Sequence, residues 1–168
     1  MGKYTDTTFD NIDKRISWWM SKYGLLLLRL SVGLIFFWFG ILKFLPGLSP
    51  AQDLAIRTID LLTFGLVPGS ISIYLLASWE VLIGIGLLTG VYMRVTLLLL
   101  FAQMLGTMSP VFLFPEEVFT RIAYAPTLEG QYIIKNLVII SAGFVMGATV
   151  RKEKSQVADK ENFEDGVI

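Results

Sequence analysis

The residues of this chain that could do chemistry are few, and most of them sit among apolar neighbours. Arg29 and Lys43 lie within GLLLLRLSVGLIFFWFGILKFLP, residues 24–46; Glu80 and Gln103 each fall inside a further apolar run. Lys135 and Asn136 belong to a fourth run, with Glu129 near its start. A charged side chain inside a spanning helix costs about 2.5–3.5 kcal/mol on insertion scales, so each of these must find a partner, a wet cavity or the interface. What chemistry the chain can support depends on which partners they find.

Helix rise sets the depths. Arg29 lies about 8 Å inside one end of its run and Glu80 about 16 Å from the same membrane face, a difference an extended arginine can bridge. A carboxylate offers the guanidinium a planar acceptor and neutralises both charges. Arg29 and Glu80 are therefore expected to pair, with Gln103 joining at the depth of Glu80. Such a pair can be a clamp that holds helix register, or the polar heart of a ligand or ion site. Nearer the other face, Lys43, Lys135 and Glu129 form a second expected cluster. Lys43 can snorkel to the interface. Lys135 lies about 12 Å beyond Thr127, where snorkelling is harder, so it is expected to face the bundle interior. Two lysines lining one cavity mouth would attract an anion or a polar head group.

The chain has 168 residues, of which 54% are hydrophobic, and its net charge is zero. Nothing in that balance points to nucleic acid. There is no cysteine and no histidine. This excludes thiol–disulfide exchange within the chain, a zinc site of the usual kind, histidine-ligated haem and a histidine proton switch. No residue is assigned a catalytic or metal-binding role.

The elements that must position these side chains are helices. An α-helix rises about 1.5 Å per residue and a bilayer core is about 30 Å thick, so about 20 apolar residues span it. Spans are expected over about residues 24–44, 71–91, 93–114 and 127–150, with Pro110 bending the third. The fold class is thus an all-α membrane protein, a four-helix transmembrane bundle. Residues 1–23 lack the apolar core and cleavage site of a signal peptide. Instead Phe9, Ile12, Ile16, Trp19 and Tyr23 recur at helical spacing, with Lys14, Arg15 and Lys22 off that stripe. This pattern predicts an amphipathic helix lying in the membrane interface. Ser49 to Phe64 and Pro115 to Pro126 read as short surface elements, with Asp53–Arg57 and Glu117–Arg121 placed to pair at i,i+4. Residues 151–168 are polar and mixed in charge, which predicts a disordered tail.

Four spans put both termini and the turn between the second and third helices on one side. That side holds nine Lys and Arg residues, against Arg57 and Arg121 in the loops of the other. The bias places both termini in the cytoplasm. Gly33, Gly40, Gly84, Ala142, Gly143 and Gly147 mark places where helix backbones can approach closely.

Three stretches carry a resemblance: RLSVGLIFFWFGILKF, the E-x3-G of WEVLIGIGLLTGVYMR, and LEGQYIIKNLVIISAGFVMG. Together, over about residues 24–151, they resemble the DoxX family of small four-helix membrane proteins, and most closely the branch that includes an inner-membrane protein of reactive-chlorine resistance. The family positions are then Arg29, Gly33, Gly40, Lys43, Glu80, Gly84, Lys135 and Asn136. The resemblance implies a bacterial inner-membrane protein linked to redox or oxidative-stress processes, with a quinone as the implied cofactor and a redox protein as the implied partner. Without cysteine, any redox role must run through such a ligand or partner.

Three functions compete. The first is a non-catalytic membrane subunit or module that binds a quinone or lipid, with Arg29, Glu80 and Lys135 shaping its pocket. The second is a homo-oligomeric transporter or channel for a small anion or protons. The third is a subunit of a quinone-linked oxidoreductase.

Overall fold

In a computed structural model the described residues are 7–45, 47–49, 52–121 and 124–165. Four helices are long and apolar enough to cross a membrane: Phe9–Leu42, Gly69–Thr89, Met93–Leu113 and Leu128–Val150. The protein is an all-α, four-helix membrane protein.

The first helix, α1, runs from Thr7 to Leu42 without interruption. The amphipathic stretch is thus the near end of the first spanning helix and continues straight through Gly24. Nothing between Thr7 and Leu42 breaks a helix: the stretch has no proline, and its glycines are tolerated singly. Beyond it α2 (Gln52–Leu62) crosses the far side of the bundle and buries Leu54 and Thr58. The second span, α3 (Gly69–Thr89), ends on Gly90, whose φ of 75° closes the cap by an N–H to the carbonyl of Gly86. A turn of three residues leads into α4 (Met93–Met108). The bend expected at Pro110 is a break: α4 stops at Met108, and Pro110 opens the one-turn helix α5 (Pro110–Leu113), followed by α6 (Pro115–Val118). Proline at the first helical position costs nothing, because its missing N–H would have no partner there.

A short antiparallel ribbon follows, β1 (Phe119–Arg121) against β2 (Ala125–Pro126). Thr127 then starts the last helix: its Oγ accepts from the Gly130 N–H at 3.1 Å and donates to the Glu117 carbonyl at 2.7 Å. That helix, α7 (Leu128–Asp165), runs through residues 151–165, where a disordered tail was expected. No glycine or proline falls between Thr149 and Asp165, and Lys, Glu, Gln and Ala there are good helix formers. Residues 166–168 lie outside the described residues.

α1 lies antiparallel along α3, and glycines set the distance. A methyl group on Gly84 would stand 2.5 Å from the backbone nitrogen of Phe37, and one on Gly40 would stand 2.9 Å from that of Val81. In lipid, where hydrophobic attraction between helices is absent, this close backbone packing supplies the adhesion. The principal core joins Val32, Phe36, Ile83, Leu87, Leu97, Leu100, Met104, Ala142 and Met146. A smaller cluster of Leu54, Val118 and Ile133 holds the outer segments to α7.

Those outer segments are also clamped by charge. The expected pairs Asp53–Arg57 and Glu117–Arg121 are replaced by a two-pronged pair between Arg57 and Glu117, each prong 2.5 Å long. The guanidinium also lies 5.2 Å from the centre of the Phe114 ring, and Arg121 donates instead to the Tyr124 hydroxyl at 3.0 Å. A fork of two parallel bonds outcompetes a single-pronged neighbour on the same helix. The hydrogen bonds from Arg57 hold the Glu117 carboxyl below its usual range.

Gly84→Ala should lower thermal stability in detergent by on the order of 1–3 kcal/mol, because α1 and α3 must separate. Gly106→Ala, with nothing within 4 Å of the added carbon, should be neutral or stabilising by up to about 1 kcal/mol. A depressed carboxyl stabilises the fold above its unfolded value, about 4.3 for glutamate, and that contribution disappears as pH falls through the lower folded value. Protection of the amides in residues 52–62 and 115–121, taken relative to the exchange rate of an unstructured peptide at the same pH, should therefore hold down to about pH 4 and fall below it. Glu117→Gln should lower protection there modestly and remove the acid step, with the Leu54–Val118–Ile133 cluster still holding the segments.

Candidate functional site

Side chains on a helix tilt toward its N-terminus. That rule decides which cation meets Glu80. Gly33 sits against Leu87 and Leu88, Phe37 against Gly84, and Gly40 against Glu80 and Val81. Along this register Lys43 stands just beyond Glu80 on the far side, and its side chain tilts back into the membrane. Glu80, on the antiparallel helix, tilts toward it. Lys43 Nζ donates to Glu80 Oε2 at 2.6 Å, and the two side chains are 15% and 10% exposed. The other carboxylate oxygen, Oε1, accepts from Gln103 Nε2 at 3.2 Å. Three helices are thereby tied through one carboxylate.

The expected Arg29–Glu80 pair is absent for the same reason. Arg29 tilts away from Glu80, toward the end of the bundle that carries the N-terminus. A methyl group on Gly90 would overlap the terminal nitrogen of Arg29, so the guanidinium occupies the space that glycine leaves. There it faces the C-terminus of α3, whose carbonyl ends carry partial negative charge. Its Nε is buried, with no hydrogen-bond partner among the described residues. Gly90 is thus constrained twice, by its left-handed φ and by Arg29. The glycine directly before Val91 is the only sequence trace of this seat.

The second expected cluster does not assemble. Lys43 leaves the interface to bond Glu80. Lys135 is exposed on the outer face of α7, with Nζ 5.3 Å from the centre of the Tyr132 ring. The tilt again explains it: Lys135 points back along α7 toward Leu128 and reaches the aromatic one turn nearer the boundary. Snorkelling, not an interior position, satisfies its charge. Glu129 is exposed in the first turn of α7, where the helix dipole favours an anion. Asn136 is half-buried, and its Nδ2 donates to Thr107 Oγ at 3.4 Å, tying α7 to α4.

Of the expected site residues, then, the fold brings together Lys43, Glu80 and Gln103. It leaves Arg29 at the opposite end of α1, and Lys135, Glu129 and Asn136 on α7. Sequence spacing overlooked two further contacts: the Arg57–Glu117 clamp, and Trp79 Nε1 donating to the Leu99 carbonyl at 3.1 Å. No cluster of three or more Asp and Glu residues able to hold a metal occurs among the described residues.

The Lys43–Glu80–Gln103 set can hold a charge apart from lipid, offer N–H donors to a carbonyl or phosphate oxygen, and exchange a proton within the pair. A buried ion pair is marginal in net stability, but removing one partner is costly. Lys43→Met should therefore destabilise the protein by about 3–5 kcal/mol, and Glu80→Gln by on the order of 1–3 kcal/mol. The double variant should recover more than about 1 kcal/mol relative to the sum, whereas Arg29→Met with Glu80→Gln should be additive. Detergent melts of the five variants check this; simple additivity for Lys43 and Glu80 contradicts the pair.

A family model described as DoxX matches residues 24–115, more than half of the chain. The match covers Arg29, Lys43, Glu80 and Gln103, and ends before α7. No curated protein and no solved structure matches.

Proposed function

The chain belongs to the DoxX family, and from that membership we propose that it is a non-catalytic membrane module that holds the polar head of an apolar ligand, a quinone or a lipid, for a redox system. The observation that carries this reading is the Lys43–Glu80–Gln103 set. An ammonium brings three N–H donors and a side-chain amide two, and Glu80 takes one from each. That is a donor-rich group at membrane depth, suited to a quinone carbonyl or an ester or phosphate oxygen. Glu80 holds both donors in place and neutralises the ammonium while no ligand is near.

The same features argue against chemistry by the chain itself. Its sequence has neither cysteine nor histidine, so electrons must be carried by the bound ring or by a partner protein. The link to oxidative stress, and the likeness to the reactive-chlorine resistance branch, are part of this proposal. They are supported by the motifs around Arg29, Glu80 and Lys135. The proposed setting is a bacterial inner membrane with both termini in the cytoplasm, supported by the nine-to-two bias of basic residues.

The test is the ligand content of the purified protein. Wild type should retain quinone or a defined lipid through detergent exchange, detected by solvent extraction and mass spectrometry. Replacing the compact ammonium by a larger planar fork in Lys43→Arg, or deleting the amide donor in Gln103→Leu, should weaken retention about tenfold or more, while Lys135→Met should retain it. Equal ligand content in all variants contradicts the proposal. Proton or chloride flux in liposomes that depends on Glu80 would favour transport instead.

A further inference from the structure

α1 is too long for the membrane it crosses. Its 36 residues extend about 54 Å, against a hydrocarbon core of about 30 Å. Tilt cannot absorb the excess: helices tilt by up to about 40°, and that would still leave α1 too long. It also runs beside α3, which has 21 residues. The stretch before Gly24 therefore lies outside the hydrocarbon.

That stretch is not suited to water. Phe9, Ile12, Ile16, Trp19 and Met20 are 50–77% exposed. At helical spacing all five fall on one side, together with Tyr23. Lys14, Arg15 and Lys22 fall on the other, with the Lys22 ammonium 4.7 Å from the centre of the Trp18 ring. The Trp19 and Tyr23 rings meet at a tilt of 48° at the boundary, their centres 5.5 Å apart. An apolar stripe backed by cations and rimmed with indoles matches a membrane surface, with the stripe in the acyl boundary and the ammonium and guanidinium groups among phosphates.

The junction can bend. Gly33, Gly40 and Gly84 each press on a neighbouring helix, but a methyl group on Gly24 would meet nothing within 4 Å. Packing therefore does not require glycine at 24, which stands where the apolar span begins. Glycine is the residue whose helical state is most easily given up. We propose that Gly24 is a pivot on which residues 9–23 fold down onto the membrane surface, seating Phe9, Ile12, Ile16 and Trp19 in the lipid interface beside the bundle. The straight helix is then the conformation without a bilayer. Burying the stripe outweighs the few backbone hydrogen bonds opened at one turn.

The test uses the full chain with Trp18→Phe, Trp38→Phe and Trp79→Phe, so that Trp19, the indole on the apolar stripe, alone reports. It is reconstituted in vesicles of phosphatidylcholine with phosphatidylglycerol. Brominated phosphatidylcholine, labelled near the head of its acyl chains, should quench the fluorescence strongly, and acrylamide should quench it weakly. Replacing Gly24 by alanine stiffens the junction by up to about 1 kcal/mol, equivalent to about a fivefold shift toward the straight helix, so lipid quenching should fall and acrylamide quenching rise. Strong acrylamide quenching with none from the brominated lipid overturns the proposal, because the helix then projects into water. Protection from both quenchers also overturns it, because the stripe is then covered by protein, from α7 or a second copy. Unchanged quenching in Gly24→Ala removes Gly24 as the pivot.

Discussion

A carboxylate in the middle of a bilayer has to be neutralised, and Glu80 is the group on which the bundle turns. Its position forces a cation to be brought to it from another helix and a neutral donor from a third. Lys43 answers from the end of α1 and Gln103 from α4. Two charges withdrawn from water gain little net stability, so the arrangement does not act mainly as glue. It acts as a register pin: a shift of α1 along α3 by one turn, about 5.4 Å, would strand both charges in lipid. The glycines at 40 and 84 serve the same register, since their surfaces fit the facing backbone in only one alignment.

The architecture was legible in the sequence because lipid imposes a simple rule. Every backbone group must be satisfied within its own helix, so the four apolar runs read as four spans; Pro110 read as a bend in the third, where the fold has a break. Glu80 and Gln103 were legible as a polar pair at one depth. Choosing the partner of Glu80 was not, because depth along the helix axis is only half of the geometry. Arg29 and Lys43 are both within reach by axial distance, but side-chain tilt sends one toward Glu80 and the other away. Lys135 failed for the same reason, since its reach points toward the boundary. The Arg57–Glu117 clamp joins residues 60 apart in sequence, and local i,i+4 spacing carries no information about such a contact.

The two membrane faces are built differently, and the difference bears on function. At the far face, α2, α6 and the β ribbon flank the ends of the spans, fastened by the Arg57–Glu117 fork and by the cluster around Leu54, Val118 and Ile133. At the near face a single tight turn through Gly90 joins α3 to α4, and α1 and α7 run on past the membrane boundary. The polar set of Lys43, Glu80 and Gln103 lies toward the covered face. A ligand head of the proposed kind would meet the outer segments on its aqueous side and leave its apolar tail among the helices and lipid. This suits a molecule that arrives from within the bilayer.

Arg29 within α1 and Lys43 in the turn just past its end thus take opposite roles through orientation. Lys43 turns inward to a full negative charge and becomes part of a buried polar group. Arg29 turns outward to the partial charge at the end of α3 and fits the space that Gly90 leaves. A guanidinium is more weakly hydrated than an ammonium and always charged, which suits a seat that offers only a helix dipole and the nearby interface. An ammonium is a compact point donor, which suits a carboxylate that must share its second oxygen with an amide. Exchanging the two residue types would put the fork where one oxygen is already taken, and the compact, strongly hydrated charge where no acid is in contact. The fold therefore depends on which cation stands at each position, as well as on where the charges lie.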